Sequence, residues 1–372
     1  MGDYRDEREA ALRRTEALAQ ENARLQAELD AARHGRASPA TARVPRVLAF
    51  ALVMLVLMGA GVGFLTASRR VVDAPGAPSL ALRGRWSPPS PIAPVPWRAA
   101  ARAGGGTWVV GDRGSIRFRG EVATAWSPVP SGTDADLYAI TSTIDPLVVV
   151  GARGTALRFD PAQRRWVAES TGSTADLRAI TYASGELIAV GDRGTVLRRR
   201  DDGGWAALAS PTTADLYGVA AAERGFVAVG RGGTILSGSA DALTLQASPV
   251  TATLRAIAPW NGTLLAVGDG GVMVSTSAMS PWTVVRSDIT DDLFVVAATE
   301  IPFEERRPDY ASSGSTFGFL AAGAGGAVVV DRLGSVEGWR PVRAGGGAIR
   351  AMTSEPWTFF TDDGNTIGFS PR

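Results

Sequence analysis

Six tryptophans and one leucine divide this chain into repeats: Trp86, Trp126, Trp166, Trp205, Leu243, Trp282 and Trp339 recur with a period near 40, and only the last step is lengthened. Each is followed at a nearly constant short offset by a second apolar anchor, Trp97, Leu137, Leu177, Leu216, Leu254, Leu293 and Ile349. Five units then place a glycine at one fixed distance beyond the anchor (Gly111, Gly151, Gly191, Gly230, Gly268), the sixth delays it to Gly323, and the seventh has Asp363 beside Gly364. Around these positions the chain reads WVVGDRGSI, LVVVGARGTA, LIAVGDRGTV, FVAVGRGGTI, LLAVGDGGVM, FLAAGAGGAV and TFFTDDGNTI: an apolar strand, a tight turn and a second strand. A small four-stranded sheet cannot bury both its faces until neighbours stack around a ring, so a period near 40 with several short β-runs per unit reads as a β-propeller. Seven units suit a closed ring. The residues before each turn are mostly Val, Ala or aromatic, and glycine is expected to supply the positive φ of a G-x-x-G turn. A helical solenoid would need unbroken 3.6-residue periodicity, which the turn glycines interrupt. A β-helix or a sandwich array is the structural alternative.

If each blade takes its outer strand from the tryptophan of the next unit, the seventh blade lacks one. The expectation is that the chain start supplies it, with Leu82 to Trp86 pairing near Thr366 to Phe369, which would remove a free sheet edge. The alternative is that residues 80–86 belong to a linker. The sixth unit carries an insertion near Glu300 to Thr316, expected as an excursion on one face.

Val47 to Ser68 is a run of 22 residues without a charge, long enough at 1.5 Å per residue to cross a hydrocarbon core of ~30 Å. It is expected to be a single transmembrane helix (47–68). Arg33, Arg36, Arg43 and Arg46 before it outweigh Arg69 and Arg70 after it, which favours a cytoplasmic N-terminus and a propeller held outside the bacterial cytoplasmic membrane. Residues 1–46 read as a cytoplasmic helical segment. Within it, 3–33 carry Leu18, Leu25 and Ala32 at d and Thr15, Asn22 and Leu29 at a of a heptad; an Asn at a flanked by Leu at d suits a parallel homodimer, against the alternative of a solvated single helix. Residues 69–85 open a proline-rich linker that runs on to Pro96 and lifts the propeller (86–372) off the bilayer.

There is no cysteine, and the only histidine is His34. The outer domain therefore has no thiolate nucleophile, no zinc-thiolate site and no Ser-His-Asp triad, so no cofactor or metal and no enzymatic activity is expected of it. A net charge of +1 argues against nucleic acid as a partner. All 38 basic residues are arginines, a composition, with the abundant Ala and Gly, that reads as a GC-rich bacterial genome and discounts any single arginine.

Directly after the anchors stand Arg98, Tyr138, Arg178, Tyr217, Arg255, Phe294 and Arg350, arginine and aromatic alternating around the blades. Innermost strands surround the channel, so these positions should form a ring near one mouth. Arginine forks hold carboxylates and aromatic rings add apolar area, so an acidic peptide, a chain-terminal carboxylate or an anionic glycan would fit. The structural alternative is packing between blades, or pairing with Asp136, Asp176, Asp215 and Asp292 just before the anchors. A second set, Arg113, Arg153 and Arg193, occupies one turn position in three consecutive units where the next three have Gly232, Gly270 and Gly325. These are either a docking patch or solvated charges.

The runs Asp176-Leu-Arg-Ala-Ile180 and Val190-Gly-Asp-Arg-Gly-Thr-Val-Leu197, followed by Asp202-Gly-Gly-Trp205, resemble the propellers of the photosystem II assembly factor family, close to the BNR or Asp-box repeats. The likeness spans about 86–372. It implies a seven-bladed scaffold outside the cytoplasm that helps assemble a membrane complex through an arginine-rich face. Arg178 and Arg193 lie in the best-matched unit, and Arg98, Arg113 and Arg153 follow by repeat equivalence. The wider superfamily includes sialidases, which need a Tyr–Glu pair; Tyr138 and Tyr217 are present, but no Glu recurs beside them. The expectation is a membrane-anchored scaffold for membrane or envelope proteins. A polysaccharide-binding module, in which Tyr138, Tyr217 and Phe294 would matter more than the arginines, and a sialidase-like hydrolase are the alternatives.

Overall fold

The computed structural model describes residues 79–371 apart from 83, 87–89, 94, 143–146, 201, 240–241, 278–279, 287–288, 308–309, 331–339, 344–346 and 354–356. The expected cytoplasmic helix, its heptads and the apolar span 47–68 lie outside these residues. Among the described residues no helix is long and apolar enough to cross a membrane.

Seven antiparallel sheets make a seven-bladed propeller. In the third blade the strands are Leu177–Ala183, Glu186–Gly191, Val196–Arg199 and Trp205–Ala207, in that order from the channel outward. The first, second, fourth and fifth blades repeat it, their inner strands being Trp97–Ala103, Leu137–Ile140, Leu216–Ala222 and Leu254–Trp260. Each second strand is a continuous apolar run because it is covered on both faces by neighbouring blades, and Gly106–Gly111, Val148–Gly151 and Gly225–Gly230 are buried along their whole length. The core is consequently divided among the blade interfaces. Trp108 and Val110 of the first blade pack with Leu137, Val149, Leu157 and Trp166 of the second, and Ala258 and Leu265 of the fifth pack with Leu293, Val296 and Phe319 of the sixth. Full burial of one such side chain stabilises by about 1.5–3 kcal/mol.

The tryptophan period has a local cause. The Trp205 indole N–H donates to Glu169 Oε2 on the outer strand of the second blade at 3.0 Å, and that of Trp282 to Gln246 Oε1 on the fourth at 2.9 Å. Each of these rings therefore ties the rim of its blade to the blade before it, a buried apolar body with its polar tip satisfied.

The ring closes through the chain start. Gly84–Trp86 is the outer strand of the seventh blade, with Trp86 opposite Phe369, Arg85 opposite Ser370 and Gly84 opposite Pro371. Leu82 departs from the expected pairing. It is registered with Phe303, because Ser79–Leu82 joins the sixth blade. There the insertion takes the form of a hairpin: strands Leu293–Arg307 and Tyr310–Gly323 are registered along their whole length, and Ser79–Leu82 adds a third strand to it.

The second glycine of each G-x-x-G turn meets the expectation of positive φ, as Gly154 and Gly194 do at 69° and 67°, and the first does not. Gly151, Gly191, Gly230 and Gly268 have φ of −166°, −169°, −165° and −168°, which is extended backbone open to any residue. Space selects them: a Cβ on Gly191 would lie 2.0 Å from the carbonyl oxygen of Asp176. Positive φ falls instead on the second and third residues after each, and Arg113, Arg153 and Arg193 adopt it at 55°, 55° and 57°. For a residue with a side chain the left-handed region costs about 1–2 kcal/mol. In the following blades Gly232, Gly270 and Gly325 adopt it without that cost.

Candidate functional site

Successive strands are antiparallel, so the start of an inner strand and the turn after the second strand lie at the same end of a blade. That end carries one mouth of the channel. Arg98, Tyr138, Arg178, Tyr217, Arg255, Phe294 and Arg350 all line a single cavity there, of about 290 Å³, floored by small and aliphatic residues including Gly218, Val219 and Ile257. Gly218 is dictated by close approach, since a Cβ would lie 3.1 Å from the Ala256 Cα in the next blade.

Each arginine is held by an aspartate in the turn of its own blade. Arg98 Nε and Nη2 donate to Asp112 at 2.7 and 3.0 Å, and Arg178 to Asp192 at 2.8 and 2.9 Å. Arg255 makes the same fork with Asp269 at 2.5 and 3.0 Å. These three are side-on bidentate pairs, the strong class of charge-assisted hydrogen bond, whereas Arg350 Nε and Nη2 share the single oxygen Oδ2 of Asp362 at 3.4 Å each, a weaker contact. None of these contacts involves Nη1. The hydrogen bonds to Asp112, Asp192 and Asp269 raise the pKa of Arg98, Arg178 and Arg255 against the opposing effect of burial.

The aromatics stand between the cations. The Arg178 guanidinium lies 4.6 Å from the Tyr138 ring centroid, Arg255 5.4 Å from Tyr217 and 6.0 Å from Phe294, and Arg350 3.8 Å from Phe294. Within about 6 Å such contacts are attractive. Tyr138 donates its hydroxyl to Asp176 at 3.3 Å, and burial followed by the Asp176 charge pushes its pKa up, keeping the donor protonated. Because seven is odd, strict alternation fails once, where Arg350 and Arg98 occupy consecutive blades across the closure.

Of the aspartates before the anchors, Asp176 pairs with two ring side chains, Arg178, whose Nη2 is 3.1 Å from its Oδ2, and the Tyr138 hydroxyl of the blade before. Those aspartates have another task. Asp136, Asp176, Asp215 and Asp292 accept the backbone N–H of Arg113, Arg153, Arg193 and Gly270 in the preceding blade at 2.8, 2.9, 2.9 and 2.8 Å. They clamp one blade's turn to the next blade's inner strand.

Sequence reasoning missed the turn aspartates, although a signal was present. Asp112, Asp192, Asp269 and Asp362 occur in the blades whose inner strand begins with arginine, whereas Ala152, Arg231 and Ala324 take that place where it begins with an aromatic. The two positions vary together because they touch.

Arg113, Arg153 and Arg193 do not line the mouth cavity. Arg113 instead borders a cavity of about 870 Å³ with Pro128–Asp134. Arg153 Nη2 pairs with Asp134 at 2.9 Å, both side chains largely exposed, an arrangement of little energetic weight. Among the described residues no cluster of acidic and histidine side chains could hold a metal ion.

Fold and site together define a seven-bladed β-propeller with an arginine and aromatic mouth. The chain is similar to the structure of YCF48 bound to a D1 peptide, with 15% identity, a TM-score of 0.60, and coverage of 82% of this chain and 100% of that one. YCF48 from Cyanidioschyzon merolae is similar at 15% identity and TM-score 0.57, over 76% of this chain and 98% of that one. The WD40 propeller domain of Doa1 is similar at 11% identity and TM-score 0.59, over 80% and 98%. These likenesses establish the fold. No protein-family model and no curated protein matches the chain.

Proposed function

We propose that this protein is a membrane-anchored scaffold whose propeller, outside the bacterial cytoplasmic membrane, holds a carboxylate-bearing segment of a membrane or envelope protein at the channel mouth. The mechanism is binding without chemistry. The observation that carries the reading is the ring itself: three guanidiniums fixed side-on by an aspartate and a fourth, Arg350, held more loosely, with Nη1 left to donate to a second carboxylate. The aspartates pre-organise the donors, which lowers the ordering cost of binding. The aromatics between them supply apolar contact of the type enriched at binding hot spots. A cavity of about 290 Å³ suits one acidic side chain or a chain terminus. The binding of a D1 peptide by a similar propeller, YCF48, supports a peptide as occupant. Anchoring rests on the apolar run 47–68, and dimerisation on the heptads of 3–33.

Affinity capture from detergent-solubilised membranes tests this, comparing the native chain with a variant carrying R178Q with D192N and R255Q with D269N. Neutralising both members of each pair keeps hydrogen-bonding groups in place while removing the cations. Envelope proteins recovered with the native chain and lost from the variant would sustain the proposal, and identical recovery would end it.

A further inference from the structure

The opposite face of the ring carries a second concavity, between the fourth and fifth blades, of about 940 Å³. It runs from the inner hairpins, with Glu223 and Arg224 on one side and Asn261 and Gly262 on the other, outward to Gln246 and Trp282. One wall is Trp260, 39% exposed. Phe317 of the sixth blade, 51% exposed, stacks on it with centroids 4.9 Å apart and planes 12° from parallel. Phe317 does not line the groove and Trp260 does, so the phenyl ring supports the indole from outside the lining. An aromatic pair exposed in this way is a large apolar area left in water, which a core would have buried.

The remaining lining is mixed: apolar side chains such as Ala222, Val227 and Pro259 alternate with hydroxyl and amide groups, among them Thr244, Asn261 and Ser277. Gln246 has its carbonyl fixed by the Trp282 indole N–H at 2.9 Å, and its amide NH₂ remains a donor. Glu223 and Arg224 cancel in formal charge. An aromatic wall in one groove with hydroxyl and amide groups and small apolar side chains, with no net formal charge, matches a pyranose ring, which is apolar on its C–H face and hydroxylated around its rim. The volume lies at the upper end of the range for small-ligand clefts and accommodates more than one sugar unit.

We infer that the groove between the fourth and fifth blades is a binding site for an uncharged pyranose oligosaccharide, with Trp260 as the stacking platform and Phe317 as its support. The site is independent of the arginine mouth. A scaffold holding a protein on one face would hold a glycan on the other.

The test is a neutral-oligosaccharide array followed by calorimetric titration of the strongest glycan, with a short polyproline peptide as the competing probe. Trp260 and Phe317 are exposed, so W260A and F317A are expected to keep the native melting temperature. W260A should weaken the glycan at least tenfold and F317A several-fold. Y182A, which removes an exposed aromatic on the same face that does not line the groove, should leave it unchanged. Absence of any neutral glycan binding, binding that survives W260A, or binding of polyproline in place of every glycan would overturn the inference.

Discussion

Removing the Arg178 guanidinium measures how much of the ring is structural. Arg178 makes two charge-assisted hydrogen bonds to Asp192, a third contact to Asp176 and a cation–π contact with Tyr138. Hydrogen bonds to charged groups contribute about 1.5–3 kcal/mol in mutational series, and the cation–π contact adds about 0.5–1 kcal/mol. Both are reduced here by solvent, since the Arg178 and Asp192 side chains are 30% and 27% exposed. R178Q should therefore cost about 2 kcal/mol. D192N should cost only about 1 kcal/mol, because Arg178 keeps Asp176. With neither charge left to strand, the double variant should cost about 2 kcal/mol. The coupling, about 1 kcal/mol, sits at the top of the range for exposed pairs and well under the cost of breaking a buried one, about 3–5 kcal/mol. Urea unfolding of the four proteins, with m-values compared to verify a common transition, gives each value. Additivity of the single changes within about 0.5 kcal/mol would mean that the two groups do not interact in solution, and the account of Asp192 as the support of Arg178 would be wrong.

Three further outcomes rest on the same geometry. A152D alone should destabilise by about 2 kcal/mol as a carboxylate buried without a cation, and adding Y138R should recover at least half of that, by converting the second blade to the Arg–Asp form of its neighbours; calorimetric melting checks both. G191A, whose Cβ would lie 2.0 Å from a backbone oxygen, should cost about 3 kcal/mol or more, against about 1 kcal/mol for G105A, which has positive φ but open space. Changing Arg153 and Arg193 to Gly relieves left-handed backbone at about 1–2 kcal/mol but adds about 0.5–1 kcal/mol of chain entropy per site. Stability should hold or rise slightly, and a fall in partner recovery by these same variants would assign the turn arginines to a docking patch.

Several features of the site were legible in the chain itself. The register of Arg98, Tyr138, Arg178, Tyr217, Arg255, Phe294 and Arg350 follows from their fixed offset after the anchors, and a ring of equivalent strands must bring equivalent positions to one mouth. Their partners were less legible. Asp176 is near Arg178 in the chain and does touch it, but it is the one aspartate that stands two residues before a ring arginine. Asp192, far along the hairpin, is brought alongside by the turn back from the second strand. The groove at Trp260 left no trace in the repeat, because Phe317 reaches it from a strand lengthened by the insertion.

Period and blade number were determined by the sequence alone, since in a ring each repeat meets only its neighbours and the same apolar offsets recur. Tertiary structure decided what the repeat cannot encode: which carboxylate holds each arginine, why the first turn glycine is needed, where Leu80 and Leu82 pair, and which exposed rings stand together. Those depend on distances between blades, and distances between blades are set only when all seven are packed.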